Sequence, residues 1–215
     1  MNVKLISLTS SLIEQKQLTA EQLIVYIARV SNPSNQLNVE TSQGLIAYLI
    51  KNKHWSPFEM TDMTVEITTS RAIAAQILRH RSFVFQEFSQ RYSKVNDIEP
   101  IQLRYQADKN RQSSTNNLNP TDEKYFNDRI SEVVNQSQQL YDEMINASIA
   151  KECARFVLPL SAQTTLFMKG SIRSWIHYLQ IRCDHHTQLE HQQIAFKILD
   201  IFKQNFPNIS TALQL

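Results

Sequence analysis

The stretch MTVEITTSRAIAAQILRHRSFVFQEFSQR (Met63–Arg91) decides the fold, because its hydrophobic period changes along its length. Met63, Val65 and Ile67 alternate with Thr64, Glu66 and Thr68, the period of two that marks a half-buried strand. From Ser70 the spacing turns helical through Arg81, with Ile73, Ile77 and His80 on one face. From Phe83 to Tyr92 apolar and polar residues alternate again, which predicts an extended segment that pairs poorly and lies across a site.

Outward from this stretch, residues Val3 to Leu8 read as a short edge strand, and Thr19 with Gln22 forms a capping box that opens a helix through about Val30. A second helix is predicted from about Val39 to Lys51. Downstream, Gln106 to Pro120 is polar and rich in Asn and Ser, the composition of a mobile surface loop within the domain. A long helix follows from about Thr121 to Ile149, then a helical turn from Ala150 to Phe156 and a break at Pro159. A strand at Thr164 to Met168, a helix from Ser171 to about Arg182 and a last helix from about Thr187 to Phe206 complete the pattern, with no internal repeat.

A chain of 215 residues with 42% hydrophobic residues can bury a proper core, so one domain spanning residues 1–215 is expected. Its 22 basic and 20 acidic side chains sum to a formal charge of +2, far from a polybasic nucleic-acid binder, so any anion site must be local. The N-terminus lacks the pattern of a signal peptide, and nothing approaches the roughly 20 apolar residues needed to cross a bilayer. Two cysteines, Cys153 and Cys183, are too few for a disulfide framework; a soluble protein of the reducing cytoplasm is expected. Only two glycines occur, Gly44 and Gly170, which excludes the Rossmann and P-loop phosphate loops. A nucleotide ligand must therefore be held by side chains, and arginine is the one best suited to bidentate phosphate contacts.

Between Ser70 and Lys94 stand five cations, Arg71, Arg79, Arg81, Arg91 and Lys94, against one carboxylate, Glu87. Such clustering is costly unless an anion joins it; the plainer alternative is a solvated helix end whose cations complement the C-terminal dipole. Farther along, His185, His186, Glu190 and His191 invite a metal reading, but the spacing is wrong for a zinc helix motif and no third ligand is obvious, so no metal is expected. Ser89 has no adjacent base to make it a nucleophile.

Arg79-His80-Arg81, then seven residues, Ser89, one residue and Arg91, resembles the signature of the flavin-dependent thymidylate synthases, the ThyX family. The segments YIARVSNP (Tyr26–Pro33), NKHWSPFEM (Asn52–Met60), ECARFVLP (Glu152–Pro159) and IRSWIHYLQIRCDHHTQLEHQQ (Ile172–Gln193) are similar to that family's in the same order. The resemblance implies an α/β (α+β) domain with a central, mainly antiparallel sheet flanked by long helices. It implies reductive methylation of dUMP to dTMP, with FAD as cofactor and methylenetetrahydrofolate and NADPH as co-substrates, in a homotetramer whose sites lie between subunits.

Carried over by position, Arg182 is the expected catalytic cation, stabilising negative charge that develops on the N3 and O2 edge of uracil in place of a cysteine nucleophile. The substrate positions are Gln76, Ile77, Leu78, Arg79, Glu87, Phe88, Ser89, Gln90, Arg91, Arg155 and Arg182. Those for FAD are Ser56, Arg79, His80, Arg81, Glu87, Ser171, Ile172, Arg173 and His177, with Ser31, His54 and His186 as weaker candidates. Family members often carry Asn at the places of Ser171 and His177, so those hydrogen bonds are made differently here. The rival from another class is a single-stranded RNA-binding module in which the arginines and Phe83, Phe85, Phe88 and Tyr92 neutralise and stack on a strand; the near-neutral total charge counts against it.

Overall fold

The structure is a computed structural model that describes residues 1–95, 97–115 and 118–215. Its elements follow in the order β1 (Asn2–Leu8), α1 (Ala20–Ala28), α2 (Ser42–Lys51), β2 (Asp62–Ser70), α3 (Arg71–Ile77), β3 (Val84–Glu87), β4 (Tyr105–Gln106), β5 (Ser114–Thr115), α4 (Pro120–Asn146), α5 (Lys151–Ala154), β6 (Gln163–Ser171), α6 (Ile172–Arg182), α7 (Leu189–Asn205) and α8 (Pro207–Leu213). Four strands form a sheet of order β1-β2-β6-β3, and the mixture of helices with antiparallel sheet is that of the α+β class.

Two compact units divide the chain: one holds Met1, Thr68–Ile77 and Glu87–Leu166, the other Asn2–Ile67, Leu78–Gln86 and Phe167–Leu215. In the second unit, Met63, Val65 and Ile67 of β2 are fully buried, as their alternation requires. Trp175 and Leu179 of α6, Ile194, Ile198 and Phe202 of α7 and Ile46 of α2 are equally buried, and the Trp175 indole donates to the Met63 carbonyl at 2.9 Å. Thr19 caps α1 through the reciprocal bond with Gln22 that the sequence predicts. A 3-10 turn at Ser56–Glu59 packs on α1 and α6.

In the first unit, the long α4 opens at Asn119, whose side chain accepts from the Asp122 amide, with Pro120 at the first helical position. Tyr141 anchors this helix with no exposure, its hydroxyl accepting from the Val95 amide at 3.3 Å. Ser137 ties α4 to the 3-10 turn after α5 by donating to the Val157 carbonyl at 2.6 Å.

The structure departs from the sequence expectation in three places. Helix α3 stops at Ile77, so Arg79 and Arg81 sit in an exposed turn rather than on a helix face. Within the extended segment, β3 is a full member of the sheet and not a poorly paired strip. The loop from Gln106 to Pro120 is bounded by a short antiparallel pair, Tyr105 against Thr115 and Gln106 against Ser114; residues 116 and 117 lie outside the described residues. The last expected helix, about Thr187 to Phe206, is α7; it ends where Pro207, with no amide to continue it, follows a non-helical Phe206 at φ −133° and ψ 59°, and the short α8, not expected from the sequence, comes after it.

Candidate active site

Helix α6 starts where Ser171, still extended, accepts a hydrogen bond from the Ser174 amide at 3.3 Å. The Ser171 hydroxyl donates to Glu59 Oε2 at 2.6 Å and Arg173 donates to Glu59 Oε1 at 2.8 Å, so one carboxylate ties the Ser56–Glu59 turn to the first turn of α6. Beside this junction opens a cleft of about 490 Å³. Its walls are Trp55 and Glu59 from the turn, Ser82 from the arginine-rich stretch, and Arg173, Ser174, Ile176, His177 and Gln180 from α6. Arg173 and His177 are there as the resemblance implies, with Ser56 and Ser171 next to lining residues in the chain. Ile172 differs: its side chain is fully buried and its amide donates to the Thr61 carbonyl at 2.9 Å. Gln180, Ser174, Trp55 and Ser82 escaped the sequence reading, although Gln180 follows His177 by three residues and was legible as its helical neighbour.

The far end of α6 carries Arg182, whose Nε donates to Nε2 of His80 at 2.9 Å. A ring nitrogen that accepts is unprotonated, which places the proton of neutral His80 on Nδ1. Burial, then the positive charge of Arg182 and then His177, lower the His80 pKa to about 4. Tyr178 meets the His80 ring edge-on at 4.9 Å between centroids, and its hydroxyl pairs with Nε2 of His191 at 3.1 Å. His191 has no exposure; burial first, then Arg182 and His80, lower its pKa to about 3. Burial raises the Tyr178 hydroxyl well above its ordinary range. At neutral pH Arg182 is therefore the one charged member of these four side chains. Its two terminal nitrogens, like the guanidinium groups of Arg79 and Arg81, have no hydrogen-bond or ion-pair partner among the described residues.

The first unit holds most of the remaining expected substrate contacts. Glu87 closes β3, and its Oε1 accepts from Arg71 at 2.5 Å and from Thr164 at 3.0 Å, leaving Oε2 without a partner among the described residues. Ser89 accepts at its carbonyl from the amides of Tyr92 and Ser93, a turn that carries Gln90 inward and Arg91 outward. Gln90 is 7% exposed, and its Nε2 has no partner among the described residues. Arg91 reaches Glu152 at 3.0 Å across a groove of about 310 Å³ lined by Ser89, Tyr92, Ala150 and Lys151. Both members of that pair are more than half exposed, so a competing anion displaces the carboxylate at little cost. Arg155 lies over the Phe156 ring at 5.6 Å; Gln76 is half-buried, Phe88 and Leu78 are exposed, and Ile77 is fully buried.

Neither thiol lines either depression. Cys183 is half-buried just past α6, and burial raises its pKa to about 11, which keeps the thiol protonated at neutral pH. The metal spacing weighed from the sequence does not form, since α7 begins at Leu189 and His191 faces Tyr178; Asp184, His185 and His186 instead cluster on the surface with ligand atoms within 4.8 Å. His186 Nδ1 stands 2.6 Å from the Asp184 carboxylate, an ordinary exposed pair. His54 and Ser31 are exposed, and Ser31 borders a separate depression of about 430 Å³. Among the described residues no helix is long and apolar enough to cross a membrane.

Comparison with known proteins places the chain firmly. The family model described as thymidylate synthase complementing protein matches residues 11–208. A protein of Synechocystis sp. named flavin-dependent thymidylate synthase is 50% identical, with all of both chains covered. One of Paramecium bursaria Chlorella virus 1, named "probable flavin-dependent thymidylate synthase", is also 50% identical over 99% of each chain. Among solved structures, the UMP/dUMP methylase PolB of Streptomyces cacaoi bound with 5-Br dUMP superimposes with a TM-score of 0.84 over 99% of this chain and 94% of that one; at 23% identity it shows a shared fold.

Proposed function

Because this chain belongs to the thymidylate synthase complementing protein family, that of the flavin-dependent thymidylate synthases, we propose that it methylates dUMP reductively to dTMP, with methylenetetrahydrofolate and NADPH as co-substrates. The observation that carries the reading is 50% identity to a protein of that name over the whole of both chains.

The donor set fits FAD. A cleft of about 490 Å³ falls in the range of small-molecule sites, with Trp55 for stacking and Arg173, Ser174, His177 and Gln180 for polar contacts. Arg79 and Arg81, exposed and without carboxylate partners, suit a diphosphate in a chain with no glycine loop. Ser56, Arg79, His80, Arg81, Glu87, Ser171, Ile172, Arg173 and His177 are the residues assigned to it; Ile172, with a buried side chain and an amide bonded to Thr61, fits that role least. When bound, FAD supplies hydride transfer between NADPH and the one-carbon unit.

The chain's own contribution is electrostatic and positional. Arg182 brings an unneutralised guanidinium whose free terminal nitrogens can face the N3 and O2 edge of uracil, making C5 nucleophilic without a covalent bond to the enzyme. The protonated Cys183 thiol supports that non-covalent route. Glu87, paired with Arg71 through Oε1, offers Oε2 to a substrate donor, while Arg91 and Arg155, with Gln76, Ser89 and Gln90, are assigned to dUMP and its phosphate. A homotetramer in the cytoplasm belongs to the same reading; Tyr125, Phe126, Val133 and Leu140 leave apolar surface on α4 of the kind that assemblies cover.

The test is formation of dTMP from dUMP, methylenetetrahydrofolate and NADPH by purified protein that carries a flavin absorbance. Protein that gains no flavin on reconstitution and makes no dTMP overturns the assignment. Steep loss of single-stranded RNA binding with salt in flavin-free protein is the result the RNA-binding reading requires.

A further inference from the structure

We propose that His80, backed by the buried Tyr178–His191 pair, is a neutral hydrogen-bond acceptor that orients Arg182 without cancelling its charge, and so is a positioning residue for the reaction rather than a cofactor contact alone. The proposal rests on the reading of Arg182 as the cation that faces the pyrimidine.

The argument begins with the partner that Arg182 lacks. A partly buried arginine ordinarily pairs with a carboxylate, as Arg71 does with Glu87. Arg182 instead gives its Nε proton to an imidazole at 2.9 Å. A carboxylate there would fix the guanidinium equally well, but it would neutralise the charge that must act on the substrate. An imidazolium would repel it and could not accept. A neutral imidazole does both tasks.

The surroundings enforce that state. Tyr178 closes on His80 edge-on at 4.9 Å, Phe83 does so at 6.3 Å and His191 stands at 6.1 Å, so the ring is enclosed by three others. Tyr178 and His191 have no exposure, and their mutual hydrogen bond at 3.1 Å satisfies two polar groups that would otherwise recruit water beside His80. His177, on the same helix as Arg182, also disfavours a charge on His80. His191 thus holds Tyr178, Tyr178 holds the plane of His80, and His80 holds Arg182.

The test compares His80→Gln, His80→Glu and His80→Leu in the flavin-loaded enzyme. Glutamine keeps a neutral acceptor, glutamate presents a charged one and leucine presents none. Kcat at saturating FAD should fall less than about tenfold in the glutamine variant and about a hundredfold or more in the other two, with KM for dUMP changing less than kcat. His191→Phe should lower kcat by an intermediate factor. A glutamate variant as active as the glutamine variant, or variants that lose only FAD affinity and recover full kcat when FAD saturates, would overturn the proposal. For variants that fail to fold, nitrogen NMR of histidine-labelled wild-type protein decides: His80 Nε2 is expected unprotonated at neutral pH, and a protonated Nε2 refutes the acceptor role. If the wild-type enzyme itself makes no dTMP, the reading of function has failed; the NMR result still reports on His80.

Discussion

Gly170 in β6 lies so close to the ring of Phe83 that a Cβ added to it would sit 2.5 Å from Phe83 Cδ1. One of only two glycines in the chain is there for space. Phe83 is 7% exposed and stacks edge-on against Trp175 at 4.7 Å, in contact with Tyr178 and His80 as well. The glycine thereby seats the stretch that carries His80.

Gly170→Ala should destabilise the protein by about 1 to 3 kcal/mol, the usual cost of overpacking a filled site, because a ring confined on three sides cannot swing aside. Urea denaturation monitored by tryptophan fluorescence measures it. A midpoint equal to wild type would show that Phe83 relocates freely.

Arg182→Ala should leave the fold intact, since the side chain is only half-buried and its one hydrogen bond is worth about 1 kcal/mol. Its dTMP formation should fall at least about a hundredfold, the scale on which removing a preorganised electrostatic group acts. Turnover near wild type in a correctly folded variant contradicts the role assigned to this residue.

Arg79→Ala and Arg81→Ala should change stability by no more than about 0.5 kcal/mol, because neither cation is exposed at the expense of a carboxylate pair. Flavin retained through purification should nevertheless fall in both. Absorbance ratios of flavin to protein read the effect, and full retention in both variants removes these arginines from the cofactor site.

Acid should destabilise the fold through His191 and His80. Above about pH 6.5 both rings are neutral folded or unfolded, and they contribute no pH dependence. As pH falls below that value, the unfolded chain binds protons that the folded chain refuses until about pH 4 at His80 and about pH 3 at His191, so stability is lost across that window. For His191 the loss between pH 6.5 and 5 is about 2 kcal/mol. Denaturation midpoints at several pH values should show a shallower slope for His191→Phe than for wild type; identical slopes would mean that His191 is already charged in the folded protein.

Much of the local structure was legible from local chemistry. Thr19 and Gln22 announced their capping box, the alternation at Met63, Val65 and Ile67 announced its buried face, and the long helix expected from about Thr121 starts at Pro120. The stop at Ile77 was not legible, since the apolar period runs on to His80; the chain turns there because Phe83 bonds back to the His80 carbonyl and both rings must reach Tyr178. The membership of β3 in the sheet was hidden for a like reason, as strand pairing depends on a partner far along the chain.

For the site the division is sharper. Residue types and spacing, Arg79-His80-Arg81 with Ser89 and Arg91, determined by themselves the family resemblance and the need for an anionic ligand held by side chains. Tertiary structure alone decided which charges remain uncancelled. It joined Arg182 to His80 across 102 positions and Arg173 to Glu59 across 114, and it buried His191 against Tyr178. Protonation and pairing follow from solvent exclusion and from neighbours within a few ångströms, and neither quantity exists until the chain has folded.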